Sequence, residues 1–295
     1  LGVIGCISPW NFPVNLTFAP LGGIFAAGNR TMIKPSEFTP ETSKVIEEIV
    51  AEAFDPTEVT TFSGGPEVGQ AFSALPFDHM IFTGATNIAR HILTAAARNL
   101  VPVTLELGGK SPNIVFDDCD MDNAVKGAIS GIFAATGQTC IAGSRLLVQE
   151  SIHDEFVDKL VALAKTAKMG DPMLMDTQVG PVTTVPQYEK ILSYLDVAKG
   201  EGAEVRLGGG KADAGKYFVQ PTVFTGVNNK MRIAQEEVFG PVLSVIPFKD
   251  DEEAIEVGND VIYGLAAGVW TQSMRRAFTM SAKLRAGSVW VNTYR

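Results

Sequence analysis

Histidine and cysteine are both scarce in this chain, and their spacing leaves little room for the metal chemistry they could serve. His79, His91 and His153 stand far apart, which argues against a multi-histidine metal site and gives no support to a Ser-His-Asp arrangement. Cys6, Cys119 and Cys140 have no metal-ligand spacing, and three thiols cannot all pair, so the chain reads as one from a reducing compartment. No run of about 18 apolar residues appears, so no transmembrane helix is expected. The opening segment from Leu1 to Ile7 lacks a charged n-region and runs into Ser8-Pro9; it reads as a buried strand rather than a signal peptide. No Gly-x-Gly-x-x-Gly fingerprint is present. Gly108-Gly109-Lys110-Ser111 looks like a phosphate loop, but Thr104 stands where a triphosphate-binding loop needs its first glycine. Repeats and low-complexity tracts are absent as well.

The 295 residues suffice for one large domain or two ordinary ones, and 46% of them are hydrophobic, so a substantial core can form. The 24 basic and 33 acidic residues leave a net charge of -9. A broad acidic field disfavours nucleic acid and anionic membrane as partners. It says nothing against a local phosphate site, which needs only one lysine and a few backbone N–H groups.

Strand and helix patterns alternate in the first third. Strands are expected at Arg30 to Lys34, Val59 to Phe62, His79 to Phe82 and Val101 to Leu107. One helix opens at Thr39-Pro40, with a hydroxyl at the cap and proline at its first position. Its Val45, Ile46, Ile49, Val50 and Ala53 recur at helical spacing and predict one buried face. A second helix covers Asn87 to Arg98. This rhythm, without hairpin dipeptides such as Asn-Gly between the strands, points to crossover connections and a parallel α/β sheet. Beyond Gly108-Gly109, helices are expected over Asp120 to Ala135, Ile152 to Ala167 and Met274 to Leu284. Strands are expected over Arg145 to Val148, Val242 to Pro247, Ala266 to Trp270 and Ser288 to Asn292. Asp171 to Gln187 and Gly200 to Lys216 read as surface connectors. The domain boundary is placed near Gly108-Gly109.

Cys140 offers a nucleophile for carbonyl chemistry, although an isolated cysteine is more often a small buried hydrophobe. Six segments surround it in sequence: Pro9-Trp10-Asn11-Phe12-Pro13, Lys34-Pro35-Ser36-Glu37, Phe82-Thr83-Gly84, Leu105-Glu106-Leu107-Gly108-Gly109-Lys110, Gly137-Gln138-Thr139-Cys140 and Glu236-Glu237-Val238-Phe239-Gly240-Pro241. In order and separation they resemble the aldehyde dehydrogenase superfamily, with 34 residues from Glu106 to Cys140 and 97 from Cys140 to Glu237. The resemblance extends over the whole chain. It implies an α/β fold of the aldehyde dehydrogenase type, with a partial Rossmann-like NAD(P)-binding domain over residues 1–108. An α/β catalytic domain lacking its C-terminal end would then occupy residues 109–295.

By that resemblance Cys140 is the nucleophile that forms a thiohemiacetal and then a thioester. Asn11 donates to the developing oxyanion, and Glu106 is the general base that activates water, a task a raised pKa suits. Ser8, Trp10, Lys34, Ser36, Glu37, Gly84, Ala85, Glu237 and Phe239 are implied to bind the cofactor. Lys34 would bond a ribose, Glu37 the adenosine ribose and Glu237 the nicotinamide ribose, with Phe239 against the nicotinamide. A carboxylate at Glu37 would repel a 2′-phosphate, which favours NAD over NADP, although some relatives with this glutamate use both. Relatives often carry Ser at the position of Ala85, so a hydroxyl contact to phosphate is lost here.

Plainer roles stand beside these. Asn11 could be a turn cap, Glu106 a structural acceptor, Lys34 and Glu37 a solvated ion pair, Glu237 a surface carboxylate and Phe239 a core aromatic. Asn292 matches a recurrent Trp-Val-Asn segment near the family's catalytic pocket, and equally suits a strand-end cap. The short spacing from Phe62-Ser63-Gly64-Gly65 to Phe82-Thr83-Gly84 resembles the group acting on coniferyl, fatty or aromatic aldehydes.

The expected activity is oxidation of an aliphatic or aromatic aldehyde to the acid by a cytoplasmic homo-oligomer, a dimer or tetramer, with no metal. The family members are longer at both ends, so the chain reads as truncated. A scaffold protein with weak or no catalysis, or a thiol-dependent esterase, is the alternative.

Overall fold

The computed structural model describes residues 2–295. Leu1, at the start of the expected first strand, lies outside them. The chain divides into two compact units, Leu1–Gly108 and Gly109–Arg295.

The N-terminal unit alternates β1 (Val3–Ile7), α1 (Asn15–Ala26), β2 (Arg30–Lys34), α2 (Pro40–Ala53), β3 (Val59–Thr61), α3 (Pro66–Ser73), β4 (His79–Thr83), α4 (Thr86–Ala97) and β5 (Val103–Glu106). Its five strands are parallel in the order β3-β2-β1-β4-β5. Successive side chains of a strand point to opposite faces, and β1 shows the result. Ile4 and Cys6 pack with Leu21, Ile24, Ile46 and Val50 of α1 and α2. Val3 and Ile7 pack with Phe72, Ala89, Ile92 and Ala96 of α3 and α4. Helices therefore cover both faces, and the strand order reverses between β1 and β4, the switch point at which such sheets bind ligands.

The C-terminal unit runs β6 (Pro112–Val115), α5 (Met121–Phe133), β7 (Arg145–Gln149), α6 (His153–Ala164), α7 (Val185–Gly200), β8 (Glu204–Leu207), β9 (Thr222–Thr225), α8 (Arg232–Gln235), β10 (Val242–Phe248), α9 (Asp251–Asn259), β11 (Ala266–Trp270), α10 (Met274–Lys283) and β12 (Ser288–Val291). Its sheet has the order β12-β11-β6-β7-β10-β9-β8, parallel except for the edge pair β8–β9. Central strands such as β6 and β11 are buried at every position, as expected where helices flank both faces.

Three expectations need correction. Thr39 precedes α2, but its hydroxyl makes no cap and is buried without a partner. The turn is instead held by Ser43 Oγ donating to the Ser36 carbonyl (2.8 Å). The buried face of α2 is narrower than its periodicity suggests: Ile46 and Val50 are buried, while Val45 and Ile49 are exposed. The two expected connectors contain regular structure. Val185 to Gln187 begin α7, and β8 lies within the second.

Arg145 at the start of β7 is fully buried, and each of its bonds goes to a neutral acceptor. Its Nε donates to the Lys110 carbonyl (2.9 Å), Nη1 to Asn229 Oδ1 (2.9 Å) and the Val257 carbonyl (2.7 Å), and Nη2 to the Gly258 carbonyl (2.8 Å). Two of these acceptors end α9, where a cation complements the helix dipole. Burial draws the guanidinium down to about 10, against a raising influence from Asp260. An ammonium cannot span these acceptors, so Arg145→Lys is expected to lower stability by about 3–5 kcal/mol in urea denaturation; a loss within 0.5 kcal/mol would contradict the clamp.

Candidate functional site

In the N-terminal unit, the candidate residues gather where β1, β2 and β4 end. Ser8 follows β1; its N–H donates to the Lys34 carbonyl (3.1 Å), and its hydroxyl accepts from Thr17 Oγ1 (2.7 Å). Trp10 and Asn11 lie, half-buried, in the Pro-flanked turn before α1. Lys34, only 3% exposed, donates through Nζ to Glu37 Oε2 (2.8 Å) and to the Pro35 carbonyl (3.1 Å). The solvated ion pair is thus replaced by a buried lysine held by a partly exposed carboxylate. Ser36 is buried and accepts from the Phe38 N–H (3.3 Å).

Beyond β4, Gly84 donates to the Glu106 carbonyl (3.0 Å), and a Cβ there would come within 2.6 Å of the Phe82 ring. Ala85 precedes α4 without a side-chain cap. Glu106 ends β5 at an exposed position.

In the C-terminal unit, α5 gives way to Ala135 (φ 53°), Thr136 (φ 56°) and Gly137 (φ 69°), three successive left-handed residues. Two of them carry a Cβ, and each costs about 1–2 kcal/mol in this region. The turn presents Cys140 half-buried, between the buried Thr139 and Ala142; it is not a sealed core thiol. Cys6, by contrast, is buried, and burial pushes its thiol up to about 12, which makes it a poor nucleophile. Tyr294 donates its hydroxyl to the Ile141 carbonyl (2.8 Å), anchoring the chain just beyond Cys140.

The adjacent carboxylates Glu236 and Glu237 have opposite environments. Glu236 receives Arg232 Nε (2.8 Å), Arg232 Nη2 (3.0 Å) and the Tyr194 hydroxyl. The Arg232 bonds lead in drawing its carboxyl down to about 2. Tyr194 is pushed up to about 12, by burial first and then by Glu236. Glu237 turns inward and accepts the Gly109 N–H through Oε1 (3.0 Å). Burial raises its carboxyl above the usual range, while Gly109, Lys190 and Lys110 pull it back.

Gly109 also touches the Cys140 loop: a Cβ there would stand 2.5 Å from the Cys140 carbonyl oxygen. One glycine therefore joins the Cys140 loop to the Glu237 carboxylate. A second close approach binds the same loops, since a Cβ on Gly137 would lie 2.0 Å from the Gly240 carbonyl oxygen. Phe239, half-buried between them, is itself left-handed (φ 61°).

Asn292 is a strand-end tie. Its Oδ1 accepts from the Thr271 N–H (3.0 Å) and its Nδ2 donates to the Thr271 carbonyl (2.9 Å). No role was assigned from the sequence to Arg145, Lys110, Tyr294 or Gln187. For Gln187 a signal existed: Thr184 caps α7 by accepting the Gln187 N–H (3.3 Å), and Pro186 sits in its first turn. Among the described residues, no group of three or more His, Cys, Asp or Glu could hold a metal ion, and no helix is long and apolar enough to cross a membrane.

The aldehyde dehydrogenase family model matches residues 1–295. The chain therefore belongs to the aldehyde dehydrogenase family. It is 48% identical over 298 residues to an aldehyde dehydrogenase of Aspergillus niger, a match covering 100% of this chain and 60% of that protein. Identity to human aldehyde dehydrogenase 1A1 is 45% over 298 residues, with the same two coverages. Among solved structures, betaine aldehyde dehydrogenase of Staphylococcus aureus in complex with NAD+ superposes with a TM-score of 0.96 at 40% identity, covering 99% of this chain and 59% of that one. KauB, an aldehyde dehydrogenase of Pseudomonas aeruginosa, gives a TM-score of 0.96 at 43% identity, covering 99% and 61%. The chain thus spans about 60% of the length of these relatives.

Lys110, 1% exposed, gives the site a titratable signature. Burial draws its ammonium down to about 7; Arg145 and Lys190 act the same way, and Glu237 and Glu236 oppose them. The unfolded chain keeps the ordinary value of 10.5. Below about pH 7 both states are protonated and the folded state bears the full cost of a buried charge. Between about 7 and 10.5 the folded lysine is neutral while the unfolded one is charged, so stability rises with pH relative to a chain without this group. Lys110→Met is therefore expected to raise Tm by several degrees at pH 6, with the gain shrinking as pH rises through that window. A gain that grows with pH would contradict this assignment.

Proposed function

We propose that this chain carries the thiol-dependent, nicotinamide-dependent oxidation of an aldehyde to a carboxylic acid. The observation that supports it best is the double contact of Gly109, which ties the Cys140 loop to Glu237. The Cys140 thiolate adds to the aldehyde carbonyl and forms a carbon–sulfur bond, and the carbonyl electron pair moves onto oxygen as a thiohemiacetal oxyanion. Asn11 donates to that oxygen, a contact of the kind worth about 3 kcal/mol. A nicotinamide held by Glu237 and Phe239 would supply the acceptor for the hydride that leaves this carbon. Collapse of the oxyanion then leaves a thioester on Cys140. Glu106 takes a proton from water, whose oxygen attacks the thioester, and the acid departs as the thiol reforms. The exposed end of β5 suits a base that must meet solvent water.

The residues at the ends of β1, β2 and β4 suit a dinucleotide. Their sheet reverses order between β1 and β4. The first turn of α4, uncapped by a side chain, has backbone N–H groups for phosphate. Ser8, Trp10, Lys34, Ser36, Gly84 and Ala85 would line this edge, with Glu37 on the adenosine ribose favouring NAD over NADP. Glu237 and Phe239 would hold the nicotinamide nucleotide. S. aureus betaine aldehyde dehydrogenase was solved with NAD+, which supports the same choice. This reading assigns residues 1–108 to cofactor binding and 109–295 to catalysis, in a cytoplasmic homo-oligomer, a dimer or tetramer. The resemblance carried by the spacing between residues 62–65 and 82–84 implies aliphatic or aromatic aldehydes of the coniferyl or fatty type.

Two variants test the scheme by following NADH absorbance. Cys140→Ala is expected to abolish NADH formation from aliphatic and aromatic aldehydes; a full-rate variant overturns the mechanism. Glu106→Gln is expected to keep a single-turnover burst of NADH and lose steady-state turnover about 100-fold or more, since oxidation precedes the step it serves. Loss of the burst together with turnover would remove Glu106 from its role as hydrolytic base.

A further inference from the structure

The segment that enters α7 is bonded to both loops of the C-terminal unit that carry candidate site residues. Toward the nucleophile loop, Thr136 Oγ1 donates to the Gly180 carbonyl (3.2 Å), and the Thr183 N–H donates to Gln138 Oε1 (3.0 Å). Toward the other loop, the Gln187 side chain donates through Nε2 to the Val238 carbonyl (2.8 Å) and the Phe239 carbonyl (2.9 Å). Gly240 closes the contact, since a Cβ there would meet Ile191 of α7 at 2.5 Å.

The two carbonyls bound by Gln187 belong to the peptide units on either side of the Phe239 α-carbon. Rotation of the first changes φ of Phe239, and rotation of the second changes ψ. Phe239 stands at φ 61°, where an aromatic residue is strained and persists only if its surroundings over-determine it. A single amide that holds both carbonyls prevents either peptide unit from turning. Phe239 would otherwise relax toward an extended conformation, and the directions of its ring and of the neighbouring Glu237 carboxylate would change.

We propose that Gln187 is a positioning residue for the cofactor: it locks the left-handed Phe239 and thereby aims Glu237 and Phe239 at the nicotinamide ribose. The clamp stands on geometry alone; its consequence for the cofactor rests on the function proposed above.

The test uses the whole chain with Gln187→Met, which keeps volume and removes the donor, and Gln187→Glu, which can donate only when protonated. Hydrogen exchange over residues 237–241 needs no cofactor. Gln187→Met is expected to speed it about tenfold, as for loss of about 1.4 kcal/mol of local protection, while exchange over 135–140 and alkylation of Cys140 stay at parental rates. In the NADH assay, KM for NAD is expected to rise about tenfold, with kcat changing less than KM. Gln187→Glu should show the same defect at pH 8 and recover toward pH 5.5 as its carboxyl gains a proton, whereas Gln187→Met stays pH-independent relative to the parent.

Parental exchange over 237–241 in Gln187→Met overturns the clamp whether or not the chain uses NAD. Faster exchange with an unchanged KM overturns the positioning role. A parallel fall in Tm, Cys140 alkylation and kcat, without the pH-dependent recovery, reduces Gln187 to a structural residue. Failure of the parent chain to reduce NAD, with exchange still accelerated in Gln187→Met, overturns the cofactor consequence through the functional reading and leaves the clamp standing.

Discussion

The C-terminal unit of this chain depends on a buried cation. Arg145 lies inside the C-terminal unit with neutral partners drawn from three separate stretches: the Lys110 carbonyl, the Asn229 side chain and the last carbonyls of α9. Burying a guanidinium is costly, and the cost is met only when its donors find well-placed acceptors. That requirement fixes the peptide at Lys110, and the residue before it is Gly109. From Gly109 the geometry branches to Glu237 through a hydrogen bond and to Cys140 through a contact too close for any side chain. The placement of the two candidate functional loops therefore follows from a stability constraint set next to them.

Strain enters at the same place. Ala135, Thr136 and Phe239 are left-handed, and nothing in their side chains favours that conformation. They are held from outside, by the Gly137–Gly240 approach and by bonds to the segment entering α7. Strain of about 1–3 kcal/mol per residue is tolerable where packing over-determines the backbone. Here it turns Cys140 out of the core and lets Glu237 face inward while its neighbour Glu236 faces Arg232 and Tyr194.

Much of the N-terminal unit was legible because a parallel sheet needs strands rich in branched residues, bounded by Gly and Pro. Arg30 to Lys34, with Thr31 and Ile33 and Pro35 beyond, has that form, and His79 to Phe82 is a short apolar run ended by Gly84. Helix α7 was harder to see. Its buried stripe is only Ile191, Leu195 and Ala198, and it follows a polar connector. The exposed Val45 and Ile49 misled for the opposite reason, since periodicity reports a face that can be buried and not whether a neighbour covers it. The start of α7 near Gln187 carried a cap signal, but the side-chain bonds of Arg145 and Gln187 could not be read. Apart from the Asn229 side chain, their partners are main-chain carbonyls 35 to 113 residues away for Arg145 and 51 and 52 residues away for Gln187, and a carbonyl carries no residue-type signature. Positive φ at non-glycine residues is invisible for the same reason.

The carboxylate pair shows how little of the electrostatics is carried by residue type. Glu236 and Glu237 are identical in sequence terms, yet Arg232 holds one far below the usual range and burial lifts the other above it. Against that burial, Glu237 has cationic company. Lys110 and Lys190 both favour its ionised form, and both are themselves discharged more easily because they are buried. As pH rises through about 7, Lys110 gives up its proton and one of these supports weakens, while Lys190 and the Gly109 N–H remain. The cluster thus limits the charge buried beside Glu237, a balance that neither a lone glutamate nor a fixed arginine in place of Lys110 would provide.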